Sequence, residues 1–175
     1  DGCNVLALGP GLGQGEVIGL EIRALVAESD RPIVLDADGL NAFVDDLPAL
    51  AKRRAALIVT PHPGEAARLL SCSPAEVQAD RLLAARRIAQ AADAVCVLKG
   101  FRTIVAAPDG QALINSTGNP GMATAGMGDA LTGLIAGYVA QGLEPFAAAS
   151  LGVYLHGLAG DIAVEHRRAD ATGAV

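Results

Sequence analysis

The sequence predicts an α/β fold, a mostly parallel sheet flanked by helices, on three observations. Short apolar runs alternate with longer segments of helical period. Hydrophobic residues fill 51% of the 175 positions but aromatics only 3%, and the rest of the apolar content is Ala, Val, Leu and Ile, which suits buried parallel strands under Ala-rich helices. The 21 glycines gather where apolar runs stop, at the strand ends where open α/β sheets bind ligands.

Taken in order, residues 5–8 form a short apolar run, and Gly9-Pro10-Gly11-Leu12-Gly13-Gln14-Gly15 turns the chain into a helix marked by Ile18, Ile22, Leu25 and Val26. Pro32 precedes a second strand, Ile33-Val34-Leu35, which runs into Asp36-Ala37-Asp38-Gly39-Leu40-Asn41. A third strand at 56–59 leads to Thr60-Pro61-His62-Pro63-Gly64-Glu65 and a short helix at 66–70. Ser73 as N-cap with Pro74 at the first helical position opens one longer helix through Val77, Leu82, Leu83 and Ile88. A fourth strand at 94–98 ends in Lys99-Gly100. Segments 103–107 and 111–115 flank Pro108-Asp109-Gly110 as a hairpin, breaking the strand–helix alternation. A Gly/Thr/Ala-rich loop at 117–128 enters an apolar helix at 129–140; a last helix covers 145–166, and 167–175 read as a frayed polar tail. No linker, repeat or low-complexity block divides the chain.

A net charge of −6 argues against a nucleic-acid surface, which needs a basic face. It leaves room for a small anion, because backbone N–H groups bind phosphate without excess Lys or Arg. Cys3, Cys72 and Cys96 have no metal-ligand spacing and read as reduced thiols of a cytoplasmic protein. No apolar run of membrane-spanning length and no signal peptide is read, so no membrane partner is expected.

The richest segment is Asn119-Pro120-Gly121-Met122-Ala123-Thr124-Ala125-Gly126-Met127-Gly128-Asp129. Two glycines before a helix let N–H groups turn toward a phosphate, and the helix dipole adds partial positive charge. Asp129 beside such an anion hole can take a proton from a hydroxyl; it can equally be a plain N-cap. Lys99 at a strand end is either a point charge for a phosphate or a solvated terminus. Asp36 and Asp38 follow the second strand closely, and only one of them is expected to face the cleft. The glycines at 9–15 lack the full G-x-G-x-x-G spacing, although Asp36 and Asp38 stand where a dinucleotide site would place its acid. His62, between two prolines at a strand end, is a better site candidate than His156 or His166, which fall in a helix and either pack or face solvent.

Gly121 to Asp129 followed by Leu131-Thr132-Gly133-Leu134-Ile135-Ala136-Gly137 resembles the signature of the NAD(P)H-hydrate dehydratase family. The Gly9-Pro10-Gly11-Leu12-Gly13, Leu35-to-Asn41, Thr60-to-Glu65, Leu98-Lys99-Gly100 and Gly152-Val153-Tyr154-Leu155-His156-Gly157 motifs extend the likeness, in the family's order, over nearly the whole chain. The resemblance implies a ribokinase-like domain that dehydrates (S)-NAD(P)HX to NAD(P)H with ADP or ATP as phosphoryl donor and Mg²⁺. It implies Asp129 at the reacting hydroxyl; Gly126, Gly128 and the segment Lys99, Gly100, Phe101, Arg102 and Thr103 at the adenine nucleotide; and Gly11, His62 and Asp129 at the hydrated nicotinamide. Comparable kinases of the superfamily carry Asn-x-x-Glu where this chain has His62-x-x-Glu65. Glu65 therefore either acts on magnesium through water or caps its short helix. The implied full-length protein is a cytoplasmic homo-oligomer.

Two other readings share the anion hole: a ribokinase-like kinase for a small molecule such as a vitamin precursor, and a module that binds nucleotide without turnover. The first residue is Asp1 and a strand-like run begins at Asn4, so 1–175 is expected to be the C-terminal portion of a single domain whose N-terminal part is missing. As an isolated piece it is expected to be poorly active and prone to associate.

Overall fold

A computed structural model describes residues 3–172. The chain runs β1 (Leu6–Leu8), α1 (Glu16–Glu28), β2 (Ile33–Leu35), α2 (Ala37–Asn41), a 3₁₀ helix (Leu47–Lys52), β3 (Leu57–Val59), α3 (Pro63–Leu69), α4 (Pro74–Ala79) and α5 (Arg81–Ala92). It continues through β4 (Val95–Leu98), β5 (Ile104–Ala106), β6 (Ala112–Ile114), a 3₁₀ turn (Pro120–Met122), α6 (Met127–Ala140) and α7 (Pro145–Thr172). The six strands form one sheet in sequence order. β1 to β4 are parallel, and β5 and β6 fold back antiparallel as the expected hairpin.

Successive strand residues alternate between two cores, because side chains leave a strand on opposite faces. Leu35, Val59, Cys96 and Leu98 face one core, shared with α1 to α5. Val34, Ile58, Val95 and Val97 face the other, shared with α6 and α7. The central strands are buried on both sides, which is why they read as unbroken apolar runs.

Four elements differ from the sequence reading. β2 spans Ile33–Leu35 as read, but residues 37–41, read only as the segment after the strand, form α2 with Asp36 as its extended N-cap. α3 starts at Pro63, so His62 caps it. The single helix expected after Ser73 is two: Asp80 leaves the helical backbone (φ −144°, ψ 82°) and its carboxylate accepts from Leu83 N–H, ending α4 and capping α5. α7 continues through 167–172, residues read as tail, while 173–175 lie outside the described residues. Over Pro145–His166 α7 is also long and apolar enough to cross a membrane by length and composition, with mean hydropathy 1.3, a span the sequence reading does not pick out. Its Ala148, Ala149 and Val153 pack in the second core.

Candidate active site

The ends of β1 to β4 point their loops at one edge of the sheet, and α6 begins over that edge. Gly126 takes a left-handed backbone (φ +86°) as N-cap of α6 and brings no side chain to cap it. Met127 N–H turns back to Thr124 O at 3.4 Å, and the N–H groups of Gly128 and Asp129 are left for a ligand. Asp129 is exposed in that turn.

Beneath the helix start lies a buried ionic network. Lys99 Nζ is 2.6 Å from Asp36 Oδ1 and 4.0 Å from Glu65 Oε2. Thr132 Oγ1, one turn into α6, donates to Asp36 Oδ2 at 2.9 Å. Asp36 is 1% exposed, so it survives as a charge only through these partners, and removing one would strand the others. Of the two acids, Asp36 is the one under the helix. Asp38 accepts from Gly13 N–H at 2.9 Å and from Gln14 and Asn41 side chains, which fastens the glycine turn at 9–15. Lys99 is thus not a solvated strand end: it ties β4 to β2 directly below Gly128, where a Cβ would sit 3.3 Å from its Nζ.

A cavity of about 590 Å³ opens beside the helix start. Its lining includes Lys99, Gly100, Phe101, Arg102 and Thr103, most of the loop from Thr117 to Thr124, and Met127 and Gly128 at the start of α6. The size suits a nucleotide-scale ligand. Arg81 donates to the carbonyls of Leu98 and Lys99 at 3.1 and 3.2 Å, and so holds the turn at Gly100 from below; burial lowers its pKa. Phe101 is 79% exposed, with the Arg102 guanidinium 5.5 Å from its ring centroid.

His62 Nδ1 accepts from the N–H groups of Gly64 and Glu65 at 3.0 and 3.3 Å, while Glu65 Oε2 accepts from His62 N–H at 2.7 Å. This is a reciprocal capping box with His in the usual Ser or Thr place. His62 Nε2 lies 3.4 Å from Glu65 Oε1, and His62 also lines the cavity. Glu65 therefore does what the plainer reading expects. Among the described residues no three His, Cys, Asp or Glu side chains converge on a metal position. Gly11 is exposed, with φ +75° and open space beyond its missing Cβ.

Sequence reasoning missed several groups. His156 neither simply packs nor faces solvent. It lines the cavity, its Nε2 is buried without a partner, and burial lowers its pKa, a contact with the Met127 backbone pushing the other way. Asn115 is 5% exposed and donates to Thr117 O and Oγ1, both at 3.0 Å. Thr132 and Asp161 were also passed over. Their partners lie far away in sequence, 96 positions for Thr132 and Asp36, and only Asn115-x-Thr117 offered a local clue.

Residues 1–174 match the family described as NAD(P)H-hydrate dehydratase. The chain is 52% identical over 164 residues to the bifunctional NAD(P)H-hydrate repair enzyme of Moorella thermoacetica, covering 94% of this chain and 31% of that protein. It is 47% identical over 165 residues to the ADP-dependent (S)-NAD(P)H-hydrate dehydratase of Neisseria meningitidis serogroup B, covering 93% and 56%. The fold matches the ADP/ATP-dependent NAD(P)H-hydrate dehydratase from Bacillus subtilis co-crystallised with ATP/Mg²⁺ at TM-score 0.80 and 36% identity, over 93% of this chain and 56% of that one. A ribokinase-like superfamily protein from Enterococcus faecalis matches at 0.75 and 30%, again over 93% and 56%. The chain thus spans from about a third to just over half the length of these relatives. With a ribokinase-like fold, the ordered glycine motifs at one sheet edge and a family match over nearly every residue, the chain belongs to the NAD(P)H-hydrate dehydratase family.

Proposed function

We propose that the full-length protein dehydrates (S)-NAD(P)HX to NAD(P)H at the expense of ADP or ATP, with this chain as the C-terminal portion of its ribokinase-like domain. The observation that carries the reading is the uncapped start of α6. It closes one end of a nucleotide-sized cavity through Gly128 and presents an exposed carboxylate, Asp129, one residue on.

The residues fit an adenine nucleotide. Lys99, Gly100, Phe101, Arg102 and Thr103 would lie along it, and the free N–H groups after Gly126 would meet its phosphates. A bound nucleotide would supply the phosphoryl group, and Mg²⁺ bound with it would offset the charge of its phosphates. Mg²⁺ keeps much of its water, so Glu65, committed to its capping box and 4.0 Å from Lys99, would reach it through water. Asp129 takes the proton from the C6 hydroxyl of the hydrate as that oxygen attacks the terminal phosphorus and the bond to the nucleotide breaks. The first-turn N–H groups stabilise the charge in transfer. The ring nitrogen's lone pair then expels the phosphate from C6, and the resulting iminium loses a proton from C5 to the departing phosphate or to water, which forms the C5=C6 bond and gives NAD(P)H, inorganic phosphate, and AMP from ADP or ADP from ATP. Gly11 and His62 are the proposed contacts to the nicotinamide. The same reading carries a cytoplasmic homo-oligomer with no nucleic-acid or membrane partner, in keeping with the net charge of −6.

The test is to incubate the full-length protein with hydrated NADH, Mg²⁺ and either ADP or ATP, following NADH and free phosphate together. Equal amounts of both are expected. A phosphorylated product that persists without NADH would instead mark a small-molecule kinase, and binding without turnover a nucleotide-binding module.

A further inference from the structure

Much of the cavity wall is a loop, residues 117–124, with a single 3₁₀ turn of regular structure. A loose wall would make a ligand bear the entropy of ordering it, so what fixes the loop matters to binding. α7 fixes it. Tyr154, Gly157, Gly160 and Asp161 recur at three- and four-residue spacing and share one helix face, and each meets the loop. Thr117 Oγ1 donates to Tyr154 O at 2.8 Å. A Cβ on Gly157 would lie 2.3 Å from Thr117 Oγ1, and one on Gly160 2.3 Å from Met122 Sδ, so the two glycines form a seat into which the loop drops.

Asp161 closes the seat. Its Oδ2 accepts from Gly118 N–H at 2.8 Å and its Oδ1 from Asn119 Nδ2 at 2.9 Å. Asn119 in turn accepts from Gly121 N–H at 3.0 Å through its own Oδ1. Three bonds in series thus pin residues 118, 119 and 121. Bonds to a carboxylate are the stronger kind, and the Asn119 amide and Gly118 N–H hold this carboxyl below its ordinary range.

We propose that Asp161 is a positioning residue for the adenine nucleotide, acting through Gly118 and Asn119 to hold the cavity wall, so that it sets nucleotide affinity and leaves the chemical step alone. The proposal rests on the reading of this cavity as the nucleotide site.

The test uses the full-length protein and Mg-ATP, measuring Kd by calorimetry, KM and kcat by NADH regeneration, and amide exchange at Gly118 and Gly121. Asp161→Asn keeps the shape but turns an amide NH₂ toward a donor. It should raise Kd and KM by roughly tenfold, the size of one lost charged hydrogen bond, with kcat within about twofold, and should speed exchange at both glycines. Adding Asn119→Asp exchanges carboxylate and amide. The amide oxygen at 161 then accepts from Gly118, its NH₂ donates to the carboxylate at 119, and that carboxylate still accepts from Gly121. The double variant should return amide exchange at Gly118 and Gly121 to within about twofold of wild type, a recovery that a bare charge effect of Asp161 would not show. A fall in kcat with KM unchanged, or no recovery in the double variant, overturns the proposal. The two failures separate cleanly: wild type that binds no nucleotide sinks the reading of the cavity even if exchange is slow, whereas exchange unaffected by Asp161→Asn sinks the clasp even if nucleotide binds tightly.

Discussion

At Gly128 a Cβ would come within 3.3 Å of Lys99 Nζ and 3.7 Å of Asp36 Oδ2, on the cavity side of α6. A single methyl can be met by a shift of the lysine head, but a branched side chain fills the space a phosphate needs. Gly128→Val is therefore expected to weaken Mg-ATP binding by on the order of a hundredfold, a loss comparable with removing one or two charged hydrogen bonds. Calorimetry checks it, and a variant that binds like wild type would show that the phosphates lie elsewhere. At this scale the sequence is informative where chemistry is written into neighbouring residues. Gly126, Gly128 and Asp129 form a local pattern with its own physical meaning, and Lys99 stands at a visible strand end. It is silent where a contact joins distant segments. Nothing around Asp36 tells that it, rather than Asp38, carries the lysine, because that depends on β2 stopping at Leu35. His156 looks like any helical histidine until α7 is laid against the loop.

Among elements, the crossing of the first glycine turn over β2 leaves least room. Gly9 has φ +143°, and a Cβ there would stand 1.7 Å from the carbonyl oxygen of Asp36. Backbone cannot yield as a side chain can, so Gly9→Ala combines strain with overpacking and is expected to destabilise the fold by about 3 kcal/mol or more. A urea unfolding midpoint that does not move would show that the β1 and β2 ends are further apart than described. Helix starts were legible in the sequence because caps are local: Ser73 with Glu76 is the capping box its spacing suggests. Helix breaks were less so. Asp80 reads as an ordinary polar residue within a long periodic pattern, and only its non-helical backbone separates α4 from α5. His62 escaped notice as a cap because imidazole seldom plays that part, although the His-x-x-Glu spacing has the capping-box form.

For the molecule as a whole, one sheet edge collects the glycine turn, α2, the His62 cap, Lys99 and the start of α6, while two apolar layers hold the strands that deliver them. That arrangement was legible because buried parallel strands, hairpin and helices each carry their own period. The facing of loop and helix across the cavity was not, because it is a property of packing. The central claim is that this edge joins a nucleotide site to a base at Asp129, and the direct measurement is a comparison of Asp129→Asn with wild type in the full-length protein. Mg-ATP binding should stay within a few-fold of wild type, since the first-turn N–H groups remain. Regeneration of NADH from its hydrate should fall by about 10² to 10⁴, the usual worth of a general base. Regeneration at a near-normal rate, with nucleotide bound as before, would contradict the account.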